Sequence, residues 1–195
     1  GSCSNNTWNC VTIDDGMDRG EYVSLHSKDS PTDKTRMAYY NAYSGSLRYA
    51  ESVGSGGNCT STSYNCYYID TIGKVMGNLG ISMDVDSQGQ PIIAYMDASE
   101  DLAPTQLKIA RPAFVYGEMV GNCGDIPDVY MFFYWSCKTL DGGSGYTEEA
   151  SFVGVSVSSA GLATVAYSEF NNYDDEIYLK VIQQHFPTYL PVILK

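Results

Sequence analysis

The chain has 195 residues, 44% of them apolar and 17% charged, with a net charge of −12 and a pI near 4.3. That length admits a sizeable core and one or two domains. Eleven Lys and Arg spread singly cannot form the basic patch that nucleic acid or an anionic membrane requires. No apolar run reaches the ~18 residues of a membrane span, and the longest candidate, Phe186 to Leu194, is broken by Pro187 and Pro191.

The chain opens Gly1-Ser2-Cys3 with neither an initiator Met nor a signal peptide, so a processed form or a fragment is expected. From there three tandem copies of one unit follow. The first contains Cys3 and Cys10-Val-Thr-Ile-Asp14, then Tyr22-Val-Ser-Leu25, Arg36-Met-Ala-Tyr-Tyr-Asn-Ala42 and Ser46-Leu-Arg-Tyr-Ala50. The second contains Cys59 and Cys66-Tyr-Tyr-Ile-Asp70, then Leu79 to Ser87, Pro91 to Ala98 and Gln106 to Ala110. The third contains Cys123 and Cys137-Lys-Thr-Leu-Asp141, then Phe152 to Ser159, Ala163 to Ser168 and Ile177 to Val181. Cys10, Cys66 and Cys137 are separated by 56 and 71 residues, as are Asp14, Asp70 and Asp141. The unit boundaries are set at 1–53, 54–116 and 117–184, with 185–195 an apolar C-terminal tail.

Each landmark segment is short, rich in β-branched or small residues and bounded by turn formers, which predicts strands over 22–30, 79–87 and 152–159. Asp86-Ser-Gln-Gly89 and Ser158-Ser-Ala-Gly161 are hairpin turns. No helical apolar period with caps is present, so the fold class is all-β, built from four-stranded antiparallel units. Two cysteines per unit, in register, imply Cys3–Cys10, Cys59–Cys66 and Cys123–Cys137 disulfides and an oxidising compartment. Each such loop contributes roughly 2–3 kcal/mol in the chain-entropy model.

These units resemble the four-stranded blades of secreted bacterial β-propeller repeat proteins. The resemblance rests on Gly20-Glu-Tyr-Val-Ser-Leu25, Tyr39-Tyr-Asn-Ala42, Leu47-Arg-Tyr-Ala50 and Trp8 with Ile13-Asp14. In the second unit Asp86-Ser87, Tyr95-Met-Asp-Ala98 and Leu107-Lys-Ile-Ala110 carry it, and in the third Tyr167 and Leu179-Lys180. It implies a blade type and no particular activity. Propellers close with about four to eight blades, so three units are too few for an ordinary ring. In blade phase, residues 8–14 are a last strand whose earlier strands are missing, and 177–181 are a third strand lacking its fourth.

Chemistry-bearing residues are sparse. His26 lies mid-strand and His185 in the tail, and no nucleophile elbow stands between a strand and a helix, so no enzyme is expected. Asp84 and Asp86 resemble the start of a calcium loop, but its third carboxylate and terminal Glu are absent, which favours a hairpin turn. No other cofactor is expected. Tyr67, Tyr68, Tyr134 and Trp135 cluster near the cysteine loops as candidate glycan contacts.

The leading expectation is a non-enzymatic extracellular or cell-surface structural protein whose partners are copies of itself. Cys10, Val11 and Ile13 of one chain pair with Ile177, Leu179 and Val181 of the next, and the tail adds Tyr189, Leu190, Ile193 and Leu194. The alternatives are a glycan-binding propeller module whose partner is polysaccharide, and a fragment of a larger secreted propeller.

Overall fold

The computed structural model describes residues 10–16, 19–27, 34–73, 80–98, 105–115, 118–119, 121–124, 135–142, 152–171 and 176–184. Among them there are thirteen strands and no helix. The first sheet holds β1 (Arg19–His26), β2 (Arg36–Asn41), β3 (Ser46–Ser52) and β4 (Tyr64–Thr71), in chain order and antiparallel. The second holds β5 (Ile81–Val85), β6 (Pro91–Asp97) and β7 (Gln106–Pro112). After β7 comes a small hairpin, β8 (Phe114–Val115) with β9 (Glu118–Met119), before β10 (Trp135–Asp141) returns to pair with β7. The third sheet has β11 (Val153–Val157), β12 (Ala163–Asn171) and β13 (Glu176–Gln183), with β13 outermost among the described residues.

The sheets cut across the unit boundaries. β4 pairs back onto β3 and β10 onto β7, so each cysteine-bearing strand closes the sheet before it. Residues 10–14, the described part of the strand read from sequence over 8–14, form no strand. They lie against the first sheet, where Ile13 O accepts from Ser61 N–H at 3.1 Å and Asp15 N–H donates to Thr60 Oγ1 at 3.1 Å.

Strand composition follows from layering. All of β6, Pro-Ile-Ile-Ala-Tyr-Met-Asp, is buried, as expected of an apolar run in a sheet covered on both faces. β11 alternates, because its sheet is covered on one face. The predicted hairpins are present: Gly89 N–H donates to Asp86 O at 2.9 Å and Gly161 N–H to Ser158 O at 2.8 Å. Both glycines have positive φ, which the turns require and a side chain would strain. One continuous core runs through the stack, with Tyr40, Leu47 and Ile69 from the first sheet, Ile93, Tyr95 and Leu107 from the second, and Val165 and Tyr167 from the third. A smaller cluster of Tyr39, Ala50 and Cys59, with Ile13 and Met37 against it, covers the other face of the first sheet.

The first strands of the three sheets lie side by side. Met83 N–H donates to Ser24 Oγ at 2.9 Å, and Val155 N–H donates to Ser82 Oγ at 3.0 Å. Asp84 lies between both neighbours, with Oδ1 3.4 Å from His26 Nδ1 and Oδ2 accepting from Val157 N–H at 2.7 Å.

Candidate functional site

The repeated chemistry lies between the sheets. Each recurring aspartate accepts a hydrogen bond from the recurring tyrosine of the same unit: Tyr39 hydroxyl to Asp14 Oδ2 at 2.7 Å, Tyr95 to Asp70 Oδ2 at 2.7 Å, and Tyr167 to Asp141 Oδ2. Asp70 stands in β4 and Tyr95 in β6, while Asp141 stands in β10 and Tyr167 in β12, so the bond staples the last strand of one sheet to the second strand of the next. A lysine completes the two later staples. Lys108 Nζ lies 3.3 Å from Asp70 and also pairs with the buried Asp97, and Lys180 Nζ lies 3.4 Å from Asp141. Burial, then the Asp70 charge, raises the pKa of Tyr95 far above the tyrosine norm. For Lys108 burial pulls downward, but the hydrogen bond to Asp97 and the charges of Asp70 and Asp97 outweigh it, and its pKa ends raised. Asp14 occupies, relative to the first sheet, the place that Asp70 and Asp141 occupy relative to the sheets after them.

The disulfides Cys59–Cys66 and Cys123–Cys137 are formed, and Cys10 is disulfide-bonded too. Cys3, its expected partner, lies outside the described residues. In the Cys59–Cys66 and Cys123–Cys137 loops, an asparagine before the first cysteine organises the loop. Cys66 N–H donates to Asn58 Oδ1 at 2.6 Å and Asn58 Nδ2 to Cys66 O at 3.1 Å. Asn122 repeats this with Cys137 at 2.7 and 2.8 Å. The signal, an Asn directly before Cys59 and Cys123, is visible in the sequence and was not among the candidate residues.

Two grooves open between sheets. The first, of about 330 Å³, is lined by Arg36, Tyr49, Glu51, Tyr67 and Trp135, with Lys34 Nζ 2.9 Å from Glu51. Of the glycan candidates, Tyr67 stacks on Tyr49 with centroids 5.8 Å apart, and Trp135 meets Tyr49 edge-on at 5.4 Å. Trp135 is only 3% exposed, so its ring serves the core, while half-buried Tyr67 borders the groove. Burial raises the pKa of Tyr67, as it does that of Tyr49 beside Glu51. Tyr68 bonds Thr71 through its hydroxyl, and Tyr134 lies outside the described residues. The second groove, of about 390 Å³, is largely aliphatic, with Ile109, Leu140, Val165 and Ile182 beside Arg111 and Lys138.

The calcium candidates are engaged by the backbone. Asp86 Oδ1 accepts from Gln88 N–H at 2.9 Å and Gln90 N–H at 2.8 Å, the hairpin use of that acid, and Asp84 joins the first strands. Among the described residues no three His, Cys, Asp or Glu side chains come together as a metal site. His26 faces Asp84, and His185 lies outside the described residues, as do Tyr189, Leu190, Ile193 and Leu194.

The assembly candidates divide by burial. Ile177, Leu179 and Val181 on β13 are exposed, as is Val11, while Ile13 packs on the first sheet. Strand pairing sets the comparison: Tyr39, Tyr95 and Tyr167 face Arg48, Lys108 and Lys180, which makes Leu47, Leu107 and Leu179 equivalent. Leu47 and Leu107 are 0% and 1% exposed, and Leu179 is 78% exposed.

Neither a family model nor a curated protein matches the chain. Fold and contacts together define an all-β repeat protein with disulfide-closed loops, whose recurring polar residues bind one sheet to the next.

Proposed function

We propose that this chain is a non-enzymatic, extracellular structural protein, built of propeller-type blades, that joins head to tail with copies of itself into a filament or matrix. The observation that carries this is the exposure of Leu179, whose equivalents in the other two sheets are buried by a following sheet. An apolar row of Ile177, Leu179 and Val181 on an outermost strand is a surface that soluble monomers avoid. Residues 10–15, of the type that forms β4 and β10, would add to β13 of a neighbour, with the C-terminal tail from 186 contributing. Two disulfides support an oxidising compartment, and among the described residues no helix is long and apolar enough to cross a membrane. The burial of Trp135 favours the structural role over a glycan platform.

The test is sedimentation velocity with negative-stain microscopy on the disulfide-intact chain across a concentration series. Polymers that grow with concentration are expected, and deleting residues 1–15 or 186–195 should leave soluble monomers. A chain that stays monomeric at every concentration overturns the proposal. If that monomer is retained on polysaccharide, the glycan-binding function takes its place.

A further inference from the structure

Both halves of an internal sheet junction are exposed on this molecule. At each internal junction a forward face, carrying Leu47 or Leu107, meets the rear face of the next sheet, where the stapled Tyr95 or Tyr167 lies. On the rear face of the second sheet, Met83 is 6% exposed. Its equivalent in the first sheet is Leu25, because Ser24, Ser82 and Gly154 pair with Ala38, Ala94 and Ala166 and each precedes the residue in question. Leu25 is 61% exposed, and Val23 and Val11 are exposed as well, while the third sheet exposes Phe152, Leu179 and Val181 on its side.

Resting on the self-assembly reading, we infer that the joint between copies is a sheet-to-sheet contact reproducing the internal junctions. The forward face of the third sheet, centred on Leu179 and Val181, seats on the rear face of a second copy's first sheet, centred on Val23 and Leu25. The occupant is a second copy because the equivalents of Leu179 (Leu47 and Leu107) and of Leu25 (Met83) are buried, inside the same molecule, by a face of the other kind. Asp14 already holds Tyr39 as Asp70 and Asp141 hold their tyrosines, so residues 10–15 stay on their own first sheet and present their outer side to the incoming β13. The contact is heterologous: one copy's forward face meets another's rear face. It lacks one rung of the internal junctions. Ser24 and Ser82 accept from the main chain of the next sheet, but the third sheet has Gly154 at that position. A Cβ added at Gly154 meets nothing within 4 Å, so a serine fits there without disturbing the single chain.

Three variants test the inference, with thermal melts confirming that each folds. Leu179→Glu and Leu25→Glu should each weaken assembly roughly 10- to 100-fold, the effect of losing one buried leucine. Mixed together, they should form two-copy particles and nothing longer, because each retains one intact face. Gly154→Ser should tighten assembly several-fold by restoring the missing rung. If all three variants and the mixture assemble as the unaltered chain does, the face assignment is overturned while self-assembly stands. If the unaltered chain never associates, self-assembly itself fails and the joint with it.

Discussion

Replacing Tyr95 by Phe isolates the staple between sheets. The ring is fully buried and keeps its volume, so no cavity forms, and the change removes one hydrogen bond of 2.7 Å to the Asp70 carboxylate. Asp70 keeps Lys108 at 3.3 Å, so its charge stays compensated. A hydrogen bond to a charged acceptor contributes about 1.5–3 kcal/mol. At about 2–4 °C per kcal/mol for a chain of this size, the melting temperature should fall by roughly 3–12 °C. The pH dependence gives a second readout. Burial and Asp70 raise the Tyr95 pKa above the unfolded value of about 10, so the unfolded chain loses this proton first. The group's contribution is therefore complete below about pH 10 and declines above it by about 1.4 kcal/mol per pH unit. Urea unfolding followed by circular dichroism, with disulfides intact, should show the gap between parent and variant at pH 7, unchanged at pH 9 and smaller by about 1.4 kcal/mol near pH 11. A variant within about 0.5 kcal/mol of the parent at pH 7, or a gap as large at pH 11 as at pH 7, would refute the staple.

Lys108→Met should cost about 3–5 kcal/mol in the same assay, because it leaves Asp97 buried without its cation and strips Asp70 of one partner. Gly80→Ala places a Cβ 2.7 Å from Val153 Cγ2 and 2.9 Å from Val153 N, where β5 and β11 approach. It should destabilise by about 1–3 kcal/mol and speed hydrogen exchange in β11 more than in β2 or β3.

Most strands, the hairpins and two disulfide loops were legible because each depends on local spacing and turn chemistry, whereas the strand expected over 8–14 is not formed by residues 10–14 and the short β8–β9 hairpin was not foreseen. The staples were half legible. Asp14, Asp70 and Asp141 were visible as recurring strand-end acids, and Tyr39, Tyr95 and Tyr167 as recurring tyrosines, but their meeting needs two sheets stacked face to face. The fate of Trp135 was hidden even though Trp8 and Tyr64 stand at the same place, two residues before Cys10 and Cys66, because its burial depends on Tyr49 from another sheet. Face assignment along β1 was obscured by register shifts around Glu21 and Ser24, which break the period of two that would have placed Leu25.

Along the chain the acid of each staple precedes its tyrosine by 25, 25 and 26 residues, while in the two later staples the side chains belong to different sheets. Duplicating one full period anywhere in the array adds one acid and one tyrosine, each already facing a suitable partner. Excising a period removes one of each. With contacts confined to neighbouring units, array length becomes a property that recombination can alter without inventing a new contact, and the unit itself need not change.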